Sequence, residues 1–354
     1  MSKPVLTTAL KTGLMLVLAL SVASAEEKIA LPCDASEVNV ASDGSGLWFT
    51  CSQNWAARKG AEREGRQPPP ETGSKHDRAA VYWLGSGSNS PVKVASARAS
   101  ISVVEAPKGS DALVVLQQQS GGGQVVLFHR EKRLRELPVD AYFLLWSSNA
   151  SLVYFYGGTN VEADDWNILG IYDLKSGASS KRKLKEPTSV LRTCPANGHV
   201  YSVTPPYPGF AGRTLEYTPD LRFIRRIETY VGARFSATCR FVASESEYHG
   251  PLPWSIYAVE SGKELLHFAS VEEQGKEVVY DFVEWNPRHE SLLLRKRIPG
   301  NGKPDAFEVF DVESKRVLQT IADADVIAWT ADGDKIVTCR GNVLTWHALA
   351  LNRR

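Results

Sequence analysis

Short apolar runs alternate with turn-forming residues along the chain after residue 25, and no segment sustains a helical period. One local pattern returns clearly four times. Phe143 to Trp146 is followed by Ser147-Ser148-Asn149-Ala150 and then Leu152 to Phe155. Val190 to Cys194 leads through Pro195-Ala196-Asn197-Gly198 into Val200 to Val203. Phe282 to Trp285 leads through Asn286-Pro287-Arg288-His289 into Leu292 to Leu294, and Val326 to Trp329 through Thr330-Ala331-Asp332-Gly333 into Ile336 to Cys339. Weaker copies start at Val38, Ile101 and Phe235, the last without a turn glycine. Aligned on the Trp or Cys before each turn, the anchors fall near 40, 105, 146, 194, 239, 285 and 329. Their spacing is about 41 to 48 residues except for the first, about 65. A period of 40–50 residues with several strands per unit is the signature of propeller blades.

The rest of each unit agrees. A third strand and tight turn recur as Ile171 to Gly177, Ile256 to Gly262 and Val309 to Ser314, and a fourth strand follows at Arg182 to Leu184, Leu265 to Phe268 and Val317 to Ile321. Each unit is thus predicted to be four antiparallel strands, a to d from the inside outward. The chain is predicted to be all-β, a seven-bladed β-propeller. The last unit runs out of chain after its third strand, whereas Lys28 to Leu31 stands ahead of the first strand a. That segment is predicted to supply the missing outer strand of the last blade and so close the ring, removing exposed sheet edges.

The order strand, Trp, Ser-x-Asp/Asn-Gly, strand, Asp-x-x-Ser-Gly resembles the blades of TolB-type and WD-repeat-type propellers; the blade beginning at Val326 carries an intact Trp-x-x-Asp-Gly. The resemblance covers essentially the whole chain after residue 25. It implies the propeller fold and a binding or scaffold role, and no particular reaction.

Ahead of the repeats, Lys3 and Lys11 precede an apolar stretch from Leu14 to Val22, followed by Ala23-Ser24-Ala25. This cationic start, apolar middle and small-residue end predict a signal peptide over 1–25, removed to leave a single domain, 26–354. The apolar run is about half of the roughly twenty residues that a membrane span needs. No later stretch reaches that length, so an extracytoplasmic location, periplasmic or secreted, is expected without a membrane span. With 41 cations against 40 carboxylates, the whole-chain balance gives no footprint for nucleic acid or an acidic membrane.

Five cysteines remain after cleavage, and sequence alone does not fix their connectivity. The start of strand a lies beside the end of strand b in the first blade, which favours Cys33–Cys51, a bridge contributing about 3 kcal/mol. Cys194 and Cys239 sit at equivalent points of neighbouring blades and pair only if their Cα atoms come within about 7 Å. Cys339 is left as a buried free thiol. No Cys-x-x-Cys occurs and the seven histidines are scattered, so no metal site is expected from them.

The a–b and c–d turns are short, whereas the b–c connections are long. The first is a Pro/Arg-rich insert at about 54–78, carrying Arg58 and Pro68-Pro69-Pro70; others span Gln117 to Gln124, Gly157 to Asn167, Thr204 to Arg213, Ser244 to Trp254 and Arg297 to Asp305. They emerge on one face, as binding loops do. On that face the candidate binding residues are Trp55, Arg58, Asp164, Asp165, Trp166, Tyr207, Phe210, Arg213, Tyr248, His249 and Trp254, a set rich in the aromatic and arginine types that anchor interfaces. The same aromatics serve equally to pin their own loops. The partner expected is another envelope or extracellular protein, or an envelope polymer, and not nucleic acid. The alternative is a metal-dependent hydrolase, lyase or lactonase with Ca²⁺ at the channel mouth. Its leads are Asp140, Asp281 and Asp325, near the starts of three a strands, with Glu37 placed similarly. The simpler reading of these acids is separate solvated carboxylates at strand starts. No Gly-x-Ser-x-Gly is present.

Overall fold

The computed structural model describes residues 28–63, 79–117, 123–139, 143–156, 167–186, 188, 190–204, 213–227, 231–245, 254–268, 271–273, 275–298 and 306–349. The segment 1–25, read as a signal peptide, lies outside the described residues. In chain order the elements are β1 (Lys28–Ala30), β2 (Ala35–Val40), β3 (Gly46–Ser52), α1 (Gln53–Arg63), β4 (Ala79–Gly85), β5 (Val92–Ala97), β6 (Ile101–Glu105), β7 (Asp111–Gln117), β8 (Gly123–His129) and β9 (Lys132–Leu137). They continue with β10 (Phe143–Trp146), β11 (Leu152–Tyr156), β12 (Ile168–Asp173), β13 (Ser179–Lys183), β14 (Val190–Thr193), β15 (Val200–Thr204), β16 (Arg213–Tyr217), β17 (Phe223–Ile227), β18 (Val231–Phe235) and β19 (Phe241–Glu245). The last are β20 (Trp254–Ala258), β21 (Glu264–Phe268), β22 (Val271–Glu273), β23 (Lys276–Trp285), β24 (Ser291–Arg297), β25 (Ala306–Asp311), β26 (Arg316–Ala322), β27 (Val326–Trp329), β28 (Lys335–Arg340) and β29 (Val343–Ala348).

These strands form seven antiparallel sheets: β2-β3-β4-β5, β6-β7-β8-β9, β10-β11-β12-β13, β14-β15-β16-β17, β18-β19-β20-β21, β22-β23-β24-β25-β26 and β1-β29-β28-β27. The protein is a seven-bladed propeller. The closing strand is β1, which pairs with β29 as Lys28↔Thr345, Ile29↔Leu344 and Ala30↔Val343. Ile29 and Leu31 are buried between the last blade and the first, in one cluster with Leu47, Val337 and Leu344. Blade 6 has a fifth strand. Its inner strand β23 is ten residues long, and β22 pairs with its first part, Glu273↔Lys276 to Val271↔Val278.

The a–b turns share one construction, closed by hydrogen bonds such as Ala41 N–H to Gly46 O (3.0 Å), Ser147 to Leu152 (2.9 Å) and Thr330 to Lys335 (3.0 Å). In blade 4 the left-handed residue is the fifth of the turn, Gly198, whereas in blades 1, 2, 3 and 7 the fourth turn residue is left-handed: Gly44, Gly109, Ala150 and Gly333 all have positive φ. Cys239 occupies this place in blade 5 with φ 60°. The anchor of the fifth copy is therefore Phe235, not Cys239, because the turn runs from Ser236, whose N–H bonds to Phe241 O.

That shift makes the second disulfide possible. Cys194 opens the turn of blade 4 and Cys239 closes the turn of blade 5, so the two are not at equivalent points; their Cα atoms are 5.9 Å apart and they are bridged. Cys33 and Cys51 are also bridged, with Cα atoms 6.0 Å apart, and Cys339 is a buried free thiol. Two disulfides, with no helix among the described residues long and apolar enough to cross a membrane, are compatible with an extracytoplasmic protein.

One helix departs from the all-β expectation. The insert after β3 opens as α1, whose residues include Ala56, Ala57, Arg58, Lys59 and Ala61, good helix formers inside a stretch read as a Pro/Arg-rich loop. Ser52 caps it, its hydroxyl accepting from Trp55 N–H at 3.4 Å. The prolines lie beyond its end, among residues 64–78, outside the described residues.

Candidate functional site

Strand bounds sort the connections by end of the ring. Each a–b connection is five or six residues long, whereas five of the seven b–c connections run eight residues or more, the first containing α1. The long connections leave at one end because b–c links alternate in direction with a–b links in an antiparallel blade. Of the candidate residues there, Arg58 is exposed and Trp55 half-buried on α1, with the Lys59 ammonium 5.0 Å from the Trp55 ring centroid. Asp164, Asp165, Trp166, Tyr207, Phe210, Tyr248 and His249 lie outside the described residues. Arg213 begins β16, its backbone opposite Thr204. Trp254 is only 2% exposed: its indole stacks on Phe268 with centroids 4.1 Å apart and donates to Tyr280 O of the next blade at 2.7 Å. It pins blade 5 to blade 6.

Two of the acids expected at the channel mouth, Asp281 and Asp325, are described, and each is hydrogen-bonded within its own blade. Asp281 makes a bidentate pair with Arg297 on the adjacent strand, Nη2 donating to Oδ1 at 2.9 Å and Nε to Oδ2. Asp325 accepts from Gly341 N–H at 2.8 Å and holds the b–c turn of the last blade. Asp140 lies outside the described residues. Among the described residues, no three His, Cys, Asp or Glu side chains come together as a metal site.

A different set of carboxylates meets in the lumen. Glu37, Glu105 and Glu284 belong to the innermost strands of blades 1, 2 and 6. Burial lifts the Glu105 carboxyl to about 7, opposed by its own backbone N–H and assisted by the charge of Glu37. Burial and then the charge of Glu105 lift Glu284 to about 8, against the Trp329 N–H and Arg234. Glu37 is raised by burial, with Asn39 opposing. Blades 2 and 6 are not neighbours, so the field between Glu105 and Glu284 acts across the lumen. Glu284 is exposed and Glu37 and Glu105 half-buried. Water therefore reaches all three, but only from inside a tube of protein, and the walls raise the cost of charging them. Arg234 from blade 5 lies beside them and donates to Val283 O at 3.0 Å.

At the opposite end from the long connections, a cleft of about 560 Å³ runs between blade 7 and blade 1. Ile29, Leu47, Leu84 and Trp346 line it alongside the charged Asp43, Asp332, Arg288 and Lys335. Gly46 beside it is obligatory, since a Cβ there would meet Leu84 O at 2.4 Å.

An ionic cluster lies inside blade 4. The buried Glu216 carboxylate accepts from His199 Nδ1 at 2.7 Å, Tyr201 Oη at 2.9 Å and Arg225 Nε at 2.5 Å. Burial pushes this carboxyl up, but the hydrogen bonds from His199, Arg225 and Tyr201 together outweigh it and hold the carboxyl below its ordinary range. The cluster ties strands b, c and d of one blade and opens on no cavity described above, so its work is structural.

No protein-family model matches the chain, and no curated protein does. Among solved structures, one described as a crystal structure of the eukaryotic initiation factor is similar over 86% of this chain and 81% of its own, with 11% identity and a TM-score of 0.46. A likeness at that level carries no argument; the propeller rests on the sheet order and the ring closure.

Proposed function

We propose that this chain is an exported interaction module that presents its long-connection end to another envelope or extracellular protein, or to an envelope polymer. The observation that carries this reading is the segregation of connections: the a–b end is built of uniform short turns, and the added length, including α1, sits at the b–c end. Loops supported by a rigid ring are where binding residues accumulate. The signal-peptide pattern and the two disulfides support an extracytoplasmic setting. A photo-crosslinking residue at position 58, against one at position 86 beside the opposite cleft, tests it: crosslinks to a defined envelope component from 58 alone support the reading, and equal or absent crosslinking from 58 refutes it.

A second reading, a propeller enzyme, is favoured by the lumen carboxylates, since groups holding protons near neutrality suit general acid catalysis. In its metal-dependent form, millimolar Ca²⁺ raises Tm and EDTA reverses it, because a ligand bound to the folded state stabilises by RT ln(1 + [L]/Kd). An unchanged Tm removes that form.

A further inference from the structure

The near-zero charge of the whole chain conceals a sector. The outer strands of blades 2, 3 and 4, with their adjoining turns (residues 130–137, 174–186 and 218–227), carry twelve Lys and Arg against four Asp and Glu. The rest of the chain carries 29 cations against 36 carboxylates. Lys132 and Arg133 of blade 2, Lys181, Arg182 and Lys183 of blade 3, and Arg222, Arg225 and Arg226 of blade 4 are all exposed. Three of the cations are paired: Arg133 with Glu136 (3.2 Å), Arg222 with Asp220 (2.8 Å) and Arg225 with Glu216 (2.5 Å). Lys132, Lys181, Lys183 and Arg226 form no ion pair with a described carboxylate.

The three blades form one continuous wall. Arg135 of blade 2 lies over Tyr172 of blade 3, 5.7 Å from its centroid, and donates to Leu174 O. Lys185 of blade 3 lies 3.9 Å from the ring centroid of Phe223 in blade 4. Charged side chains on edge strands also prevent edge-to-edge aggregation. That need is the same in all seven blades, yet residues 259–268 of blade 5 carry one cation and two acids, and residues 311–322 of blade 6 two of each. Edge protection therefore does not account for the sector. Interleaved with the cations are three large apolar side chains, Leu134 (47% exposed), Phe223 (40%) and Ile224 (41%).

We propose that the outer wall of blades 2–4 docks on an anionic lipid bilayer, cations on headgroup phosphates and the three apolar side chains at the interface. A polyanion in water rewards the cations alone, whereas a bilayer surface rewards both kinds of side chain. Docking on the circumference stands the disc on edge and leaves both ends of the ring, the long-connection end included, open to a partner.

The test is co-sedimentation of the folded protein with phosphatidylcholine vesicles and with vesicles containing phosphatidylglycerol. Binding is expected only to the anionic vesicles and is weakened by salt. The variant Lys181→Glu/Arg182→Glu/Lys183→Glu, on a strand exposed along its whole length, is expected to bind at least about tenfold less. A control with the same change in net charge, Lys93→Glu/Lys263→Glu/Arg316→Glu on blades 1, 5 and 6, is expected to stay within about twofold of the parent, because screening confines the effect to its own surface. Thermal melting confirms that both variants fold. Leu134→Ser/Ile224→Ser, which leaves the charge intact, is expected to reduce vesicle binding but not binding to soluble polyphosphate. No preference for anionic vesicles, equal loss in the control, or polyphosphate binding as tight per phosphate as vesicle binding and with the same response to Leu134→Ser/Ile224→Ser each overturns the proposal.

Discussion

Ring closure rests on three residues, and Ile29→Ala probes it. The Ile29 side chain is 5% exposed and packs with Leu31, Ala35, Leu47, Val337 and Leu344, so the substitution leaves a cavity at the seam between the last blade and the first. Such truncations cost about 3 kcal/mol where the site cannot collapse. Unfolding entropy of roughly 2 cal/mol/K per residue over the ring's ~320 residues gives about 0.7 kcal/mol/K, so Tm falls by about 4 °C. Cys33–Cys51, enclosing a sequence separation of 18, fixes the chain just beyond β1. With Cys33 held, β1 can detach alone, releasing few residues. In the parent background the loss therefore appears first as local opening. Calorimetry and hydrogen exchange read the two levels. The Leu31 amide, bonded to Asn342 O at 2.7 Å, exchanges faster in the variant, while amides of β27 and β28 change far less. Removing the disulfide as well, by Cys33→Ser/Cys51→Ser, costs about 3 kcal/mol more. The two changes are non-additive, because both act on the same closing segment. A Tm shift below about 1 °C with unchanged exchange at Leu31 would mean that the seam is held by something other than β1, and the reasoning fails.

Glu216→Gln is expected to cost about 2 kcal/mol by urea unfolding, since it weakens three hydrogen bonds to one buried carboxylate. The folded carboxyl lies below its ordinary range, so its contribution is present above the unfolded value and disappears as pH falls through the folded one. The parent should lose this contribution below about pH 4, and the variant should show a flatter acid limb. The lumen carboxylates act in the opposite direction: with Glu105 at about 7 and Glu284 at about 8, their protonated forms favour folding below the unfolded value, and this is lost as pH rises through 7 to 8. Glu105→Gln/Glu284→Gln should raise Tm at pH 8 relative to pH 5; an unchanged difference between the two pH values refutes the lumen assignment. Cys194→Ser/Cys239→Ser opens a bridge of sequence separation 45 and is expected to cost about 4 kcal/mol. Cys339 is expected to resist alkylation in the folded protein and react on unfolding.

Most of the fold was legible because the repeat repeats its turns. The a–b turn takes a left-handed fourth residue in blades 1, 2, 3, 5 and 7, and the c–d turns of blades 3 and 6 take an Asp that caps them, as Asp173 does for Lys175 N–H (2.9 Å) and Ser176 N–H (2.7 Å). Both requirements write themselves into short motifs. Misreadings arose where one residue stood in for another: Cys239 fills a glycine's place and looked like an anchor. The helix was missed because eleven residues beside a proline cluster give too short a window for a period to show. Of the expected channel-mouth acids, Asp325 stands directly ahead of β27, as its strand-start reading expects, and Asp281 does not. Counted back from the turn, Asp281 is expected at a strand start, but β23 begins at Lys276, so Asp281 lies mid-strand within reach of Arg297. The lumen set was invisible because Glu105 and Glu284 are 179 residues apart in sequence and meet only when the ring closes.

The register of the a–b turns shows why those positions matter. The residues before each turn are Val40, Glu105, Trp146, Thr193, Phe235, Trp285 and Trp329. Where tryptophan stands at 146 and 285, its indole reaches back to the preceding blade, donating to Val104 O (2.8 Å) and Arg234 O (2.7 Å). Blade 2 puts a carboxylate at this place, so it lacks the indole pin that blades 3 and 6 carry. One position earlier stand Asn39, Val104, Leu145, Arg192, Arg234, Glu284 and Ala328, so three of the seven places hold a charged residue. A charge in the lumen of a ring that stands without it costs stability, as the raised Glu105 and Glu284 carboxyls record. Departures from the repeat that work against the fold are the positions where a chain keeps residues for use rather than for folding. The outer wall of blades 2–4 departs from the other blades in the same way. Lumen and wall are therefore the two places, besides the long-connection end, where substitutions should separate function from stability.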